Sequence, residues 1–299
     1  MNWIATSLLS ALFLGLYEIA KKESLRGNAV PPVLFCNVLT QAAAWIPLLI
    51  ASQFPQSQLP DVLRVQPLDW DAHARLAAKS LLAGSSWICA SFALKHLPIS
   101  IAAPIRATSP FATVLFAVLL LAERPSTGQW IGVAIILAAF YAFSLAGRRE
   151  GIVFHNNRWI ALMILATLLG AASALYDKYL LGTCGYHAAD VQAWFSIYLL
   201  PVMTPLLAHW LLKNRSRSPF EWRWSIPMIA LLLLLSDFLY FHANEQPNAL
   251  ISVISPLRRT SVIIAFLAGI RLYGEQNWRI KALCLAGLMV GVTVISLAR

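Results

Sequence analysis

The chain is a succession of apolar stretches separated by short polar connections. A hydrocarbon core of about 30 Å needs roughly 20 mostly apolar residues per helix. Ten stretches meet that need, at residues 2–20, 31–51, 76–95, 99–121, 128–147, 158–180, 188–212, 224–243, 248–270 and 281–298, each ended by Pro, Gly, Asn or a charge cluster. Connections such as His96-Leu97-Pro98 and Glu123-Arg124-Pro125-Ser126-Thr127 are brief. The longest, residues 52–75, carries Pro55, Pro60, Asp61, Pro67, Asp69 and Asp71, which predicts an exposed loop. No segment between the stretches is long enough for a soluble domain. The opening Met1-Asn2-Trp3 has no basic leader, and no small-residue cleavage site follows its apolar run, so an uncleaved first helix is expected.

Composition sharpens this picture. Of 299 residues, 59% are hydrophobic and only 12% are charged, and the mean hydropathy is +0.67. That charged fraction is about half of what a soluble globular domain carries, which excludes an ordinary soluble enzyme. It also excludes disorder, which requires low hydrophobicity and high charge. The expected fold class is therefore all-α: a polytopic protein of the cell (inner) membrane with ten transmembrane helices. Cys36, Cys89, Cys184 and Cys284 are scattered, without disulfide or metal-ligand spacing, and read as buried structural thiols. No metal and no cofactor are expected.

Folding the chain on itself is the most informative step. Residues 104–123, PIRATSPFATVLFAVLLLAE, align without gaps to 256–275, PLRRTSVIIAFLAGIRLYGE, with seven of twenty positions identical. Both begin Pro-x-Arg-x-Thr-Ser and end in Glu, at Glu123 and Glu275. Leu16-Tyr17-Glu18 likewise matches Leu175-Tyr176-Asp177, and 131–148 shares small and apolar residues with 282–299. Two repeats of five helices follow, 1–149 and 150–299, with a seam near Arg148-Arg149-Glu150-Gly151. Five is odd, so the second repeat is expected to cross in the opposite sense. Inverted repeats of this kind recur in secondary transporters, with binding near the midplane at the repeat interface.

At these residues the chain resembles the EamA-type branch of the drug/metabolite transporter superfamily. The 5+5 layout carries the resemblance, together with the Pro104 and Pro256 helices, Ala122-Glu123, Gly274-Glu275 and the aromatic-led closing helices at Trp130-Ile131-Gly132 and Trp278. A Trp-x-Gly triplet is missing after Trp278, a departure in the second half. The resemblance covers nearly the whole chain and implies a solute transporter with cytoplasmic termini. It is almost silent about cargo.

Ionisable residues at membrane depth are costly, which makes them functional candidates. Arg106, Arg258 and Arg259 lie two or three residues past a proline, where a weakened backbone ladder predicts a kinked or broken helix. Symmetric placement would bring two guanidiniums to one cavity, either to clamp a carboxylate or phosphate or to pair with intramembrane acids. The acids available are Glu18, Asp177 and Asp237, with Lys178 beside Asp177 as a local partner or pathway residue. Glu18 and Asp177 are candidates for charge pairing or for carrying a coupling proton. Tyr17, Tyr176, Trp87 and Tyr240 are candidate pocket aromatics. Pro104, Pro256, Glu123 and Glu275 are expected at helix breaks, turns or gates. Gly287 and Gly291, and Ala134, Ala138 and Ala142, provide small-residue faces for an internal helix pair or a homodimer.

The net charge of +10 lies mostly on connections, with no basic soluble domain to bind nucleic acid. Counting Lys79 among the connections, fourteen of the 23 cations fall on one side and six on the other. That bias favours termini outside the cytoplasm, against the resemblance. No phosphate-binding loop, His-Glu-x-x-His or Gly-x-Ser-x-Gly occurs, so neither ATP-driven transport nor a membrane enzyme is expected. The expectation is a secondary transporter of a small polar, anionic or zwitterionic metabolite, proton-coupled or exchanging, monomeric or dimeric in the bilayer. The alternative is a flippase for a lipid-linked headgroup.

Overall fold

Asn2 starts the first helix, its side chain accepting a hydrogen bond from the Ile4 amide at 3.4 Å. The computed structural model describes residues 2–54, 58–96, 105–106, 109–146, 158–261, 263–264 and 278–298. Within them the chain forms ten α-helices and no strand. In order they are α1 (Trp3–Leu25), α2 (Val30–Ser52), α3 (Trp70–His96), α4 (Ser109–Leu120), α5 (Thr127–Ala146), α6 (Arg158–Lys178), α7 (Ala188–His209), α8 (Ser225–Glu245), α9 (Ile251–Arg259) and α10 (Trp278–Leu297). Six segments among the described residues are long and apolar enough to cross a membrane: α1, α2, most of α3, α6, α7 and α8. Two of these extend through a π-helical turn, Tyr179–Thr183 after α6 and Trp210–Asn214 after α7.

Helix starts are set by side chains that satisfy the free first-turn amides. Asp69 Oδ1 accepts from the Ala72 amide at 2.8 Å at the start of α3. Before α5, Ser126 and Gln129 form a reciprocal capping box, with Ser126 N to Gln129 Oε1 at 2.8 Å and Gln129 N to Ser126 Oγ at 3.3 Å. Asp69 and Asp71 belong to the first turns of α3, which begins at Trp70, six residues earlier than the apolar pattern predicts. The loop before it is not free either. Val65 is buried against Trp45, Ala189 and Ala193, and the Gln66 amide donates to Asp190 Oδ1 at 2.7 Å.

Around an apolar core, large hydrophobic side chains also face outward and several polar groups are buried, unlike a soluble bundle. Leu12, Leu39, Ile46, Leu168, Leu231 and Leu235 face outward, while Asn37, Gln41, Gln192, Ser236 and Asn244 are buried. An apolar exterior with an interior of small polar groups is what lipid solvation favours. Helix α1 packs on α8, with Ser10 Oγ donating to Ser236 O at 2.7 Å and Ser236 Oγ returning to Ser10 O at 3.0 Å. Helix α3 packs on α6, where Ser86 Oγ donates to Ala166 O at 2.7 Å. The other main pairs are α2–α7, α3–α7, α2–α8, α4–α9, α4–α6, α1–α9 and α5–α10. Exchanging the first five helices with the last five turns α1–α8 into α3–α6, α3–α7 into α2–α8 and α1–α9 into α4–α6. The pairs α2–α7, α4–α9 and α5–α10 map onto themselves.

Small residues close the α5–α10 pair. A Cβ added at Gly132 would sit 2.4 Å from Ile295 Cγ1 and 2.9 Å from Gly291 O, so the helices touch backbone to backbone there. Gly287 and Gly291 thus serve an internal helix pair, whereas Ala134, Ala138 and Ala142 face outward. Cys36, Cys89 and Cys184 are only half-buried, and Cys184 Sγ accepts from Arg75 Nη1 at 3.2 Å, which corrects the expectation of buried thiols.

Candidate functional site

A cavity of about 200 Å³ lies between the two halves. Residues of α1, α3, α4, α6, α7, α8 and α9 line it, with Arg106 just before α4. Its walls carry five basic side chains, Lys21, Lys79, Arg106, Arg258 and Arg259, against three carboxylates, Glu18, Asp177 and Asp237. Ser86, Ser109, Thr113, Thr167 and Ser173 supply hydroxyls.

The charges form two groups. In the first, Arg106 Nη2 is 3.5 Å from Glu18 Oε1, and both side chains are partly exposed to the cavity. Lys21 and Arg259 also act on the Glu18 carboxylate. Lys21 Nζ lies 5.3 Å from the centre of the Tyr17 ring, and Arg259 Nη2 donates to Ser109 Oγ at 3.4 Å. In the second group, Lys79 pairs with Asp177 and Arg258 with Asp237. Lys79 is 2% and Asp177 4% exposed, and the Lys79 ammonium lies 4.4 Å from the Phe195 ring centre and 5.0 Å from that of Phe241. The Arg258 guanidinium stacks over Tyr240 at 4.3 Å and reaches Ser236 Oγ at 3.3 Å. Burying four charges is costly unless each is paired and geometrically held. The aromatic faces supply part of that hold through their ring quadrupoles.

Most of the residues singled out in the sequence converge here: Tyr17, Glu18, Trp87, Arg106, Asp177, Asp237, Tyr240, Arg258 and Arg259 all line the cavity. Tyr176 and Lys178 do not. Tyr176 stacks on Tyr179 with ring centres 5.9 Å apart, and Lys178 donates to Asn244 O at 3.1 Å. Pro256 is buried within α9 without lining the cavity, and Pro104 and Glu275 lie outside the described residues. Glu123 acts on a helix start. Its carboxylate accepts from the Ile251 and Ser252 amides at 2.8 and 3.0 Å and from the Ser252 hydroxyl, capping α9.

Helix α1 runs on to Leu25, so Glu18 lies two turns before the helix end. Lys79 is the main correction to the sequence reading. It does not belong to a connection but lies nearly three turns into α3, so one fewer cation counts toward the topology of its side. Its position four residues inside an apolar stretch was the available signal. Phe195, Phe241 and the hydroxyl lining gave none, because apolar and small polar side chains look alike on every face of a buried helix.

Residues 1–145 match a known family. The match is to the EamA-like transporter family. That family is a domain family of the drug/metabolite transporter superfamily, and the match covers just under half of the chain. No curated protein matches the chain in sequence. A solved structure titled "Crystal structure of protein" superposes with a TM-score of 0.71 over 99% of this chain and 98% of its own, at 17% identity. At that identity the likeness shows the fold alone, over nearly the full chain.

Proposed function

We propose that the chain is a secondary transporter of the cell (inner) membrane that carries a small anionic or zwitterionic metabolite through the cavity between two inverted five-helix repeats, 1–149 and 150–299. The observation that carries this reading is the lining of the cavity, five cations against three carboxylates, with Arg106 and Arg258 contributed by equivalent positions of the two repeats. An anion entering such a site meets uncompensated positive charge in a low-dielectric surround, where each charge-assisted hydrogen bond counts for more than in water. The packing pairs that exchange when the halves are exchanged support a cycle in which one repeat rocks against the other. Buried carboxylates paired to Lys79, Arg106 and Arg258 are suited to releasing a cation when protonated, which links cargo binding to a proton or to an exchanged solute. The test is uptake into proteoliposomes from a panel of organic anions and amino acids. Arg106→Gln and Arg258→Gln, checked for monodispersity, should each abolish uptake of the accepted solute. Unchanged uptake by both variants sinks the reading.

A further inference from the structure

Resting on the proposed transport site, the distribution of charge within it points to a narrower cargo: we infer that the cavity accepts a small solute whose two negative charges sit on one head, a phosphate monoester or phosphonate. The two charge groups differ in balance. Asp177, Lys79, Asp237 and Arg258 are mutually compensated, two carboxylates with two cations, and both pairs are in direct contact. Glu18 instead faces Arg106, Lys21 and Arg259, one carboxylate with three cations. The guanidiniums of Arg106 and Arg259 are close enough to repel one another, and the one carboxylate between them contacts Arg106 at 3.5 Å. Among the described residues, Arg259 donates to the neutral Ser109 hydroxyl, and Lys21 rests near the Tyr17 ring. Among the described residues, the surplus of two charges is therefore local to one group.

A phosphate monoester carries about −1.5 to −2 charges at pH 7 on three acceptor oxygens of one group, which matches that surplus in size and in place. Guanidinium forks suit phosphate geometry, and lysine serves as a point charge beside them. Ser109 and Thr113 line the same cavity and offer neutral donors. An α,ω-dicarboxylate would have to place its second carboxylate against the compensated group, where no cation is spare. An amino acid zwitterion would leave the surplus uncancelled. Toward the second group, Trp87, Tyr240, Phe195 and Phe241 form the wall that the organic part of the solute meets.

The experiment measures ligand-induced thermal stabilisation and equilibrium binding on the purified full chain in lipid nanodiscs. The probes are inorganic phosphate, glycerol 3-phosphate, succinate, alanine and, as a lipid source of the same head, phosphatidic acid in the disc. Glycerol 3-phosphate should bind, and Arg259→Gln and Lys21→Gln should each weaken it by about tenfold or more. Arg259→Lys, which keeps the charge and loses the fork, should fall between wild type and Arg259→Gln. Binding of phosphatidic acid alone supports the single-headed dianion and moves its source to lipid. Tight succinate or alanine binding without glycerol 3-phosphate binding overturns this inference and leaves an anion or zwitterion transporter standing. Binding of none of the probes overturns the inference and the proposed transport site together. Glycerol 3-phosphate affinity unchanged in folded Arg259→Gln and Lys21→Gln also overturns the inference.

Discussion

Replacing Lys79 with Met removes the ammonium that contacts Asp177 in the membrane interior. Both groups are almost wholly shielded, at 2% and 4% exposure. At an effective dielectric of about 20, two charges ~4 Å apart attract by about 4 kcal/mol. Breaking a buried pair by removing one partner costs about 3–5 kcal/mol for the same reason. Two features reduce that figure here. Arg258 still acts on Asp177, and a carboxylate left alone can take up a proton. The expected loss for Lys79→Met is therefore about 2–4 kcal/mol. Asp177→Asn leaves the Lys79 ammonium between the Phe195 and Phe241 rings, which return about 0.5–2 kcal/mol, so its loss should be similar or slightly smaller. Lys79→Met combined with Asp177→Asn removes both charges and the desolvation penalty of each. The double variant should lose less than the two singles added together, with a coupling of about 2 kcal/mol or more. Denaturation of the four proteins in detergent micelles, followed by tryptophan fluorescence, closes the cycle. Additivity within about 0.5 kcal/mol would refute the reasoning, because the two side chains would then act independently.

Three further outcomes are expected. Gly132→Ala should destabilise the protein by about 1–3 kcal/mol, since its Cβ would meet Gly291 O at 2.9 Å and Ile295 Cγ1 at 2.4 Å; an unchanged melting temperature contradicts close α5–α10 contact. Glu123→Ala should cost about 1–3 kcal/mol by leaving the Ile251 and Ser252 amides without their acceptor, and Glu123→Gln, which keeps one acceptor oxygen, should cost less. The Glu245 carboxylate, 2.7 Å from His187 Nδ1, holds the His187 imidazole above its ordinary value. That contact stabilises the fold most at acid pH, below the ordinary histidine value, and its contribution is lost as pH rises through the raised one. His187→Gln should therefore reduce the difference in melting temperature between about pH 6 and pH 8, by a small amount because the side chain is 61% exposed.

The apolar pattern marks where helices lie, and six of the described ones are long and apolar enough to cross a membrane. Each of the ten described helices overlaps one of the ten stretches read from the sequence. Boundaries failed where polar residues occupy a helix end. Asp71, His73 and Arg75 disguised the first turns of α3, and Lys21 and Glu23 the last turns of α1. The repeat located Arg106 and Arg258, Glu18 and Asp177, because equivalent positions carry similar side chains. What it did not give is which acid meets which cation. Pairing depends on the rotation and crossing of helices far apart in the chain, and neither hydropathy nor the repeat encodes it. Arg106 and Arg258 have the same place in their repeats, yet Arg106 takes Glu18 while Arg258 takes Asp237. The partner of Lys79 is hidden in the sequence for the same reason. That partner, Asp177, lies on α6, and only the packing of α3 on α6 joins them.

The central claim is that anionic cargo passes through the cavity between the halves. It is tested most directly by comparing proteoliposomes holding wild type, Arg258→Gln or no protein, preloaded with an excess of unlabelled solute and given labelled solute outside. The account predicts transient accumulation of a labelled small anion by wild type and a flat trace at the level of empty liposomes for the folded variant. Accumulation of the same anion by Arg258→Gln at the wild-type rate and extent would contradict it.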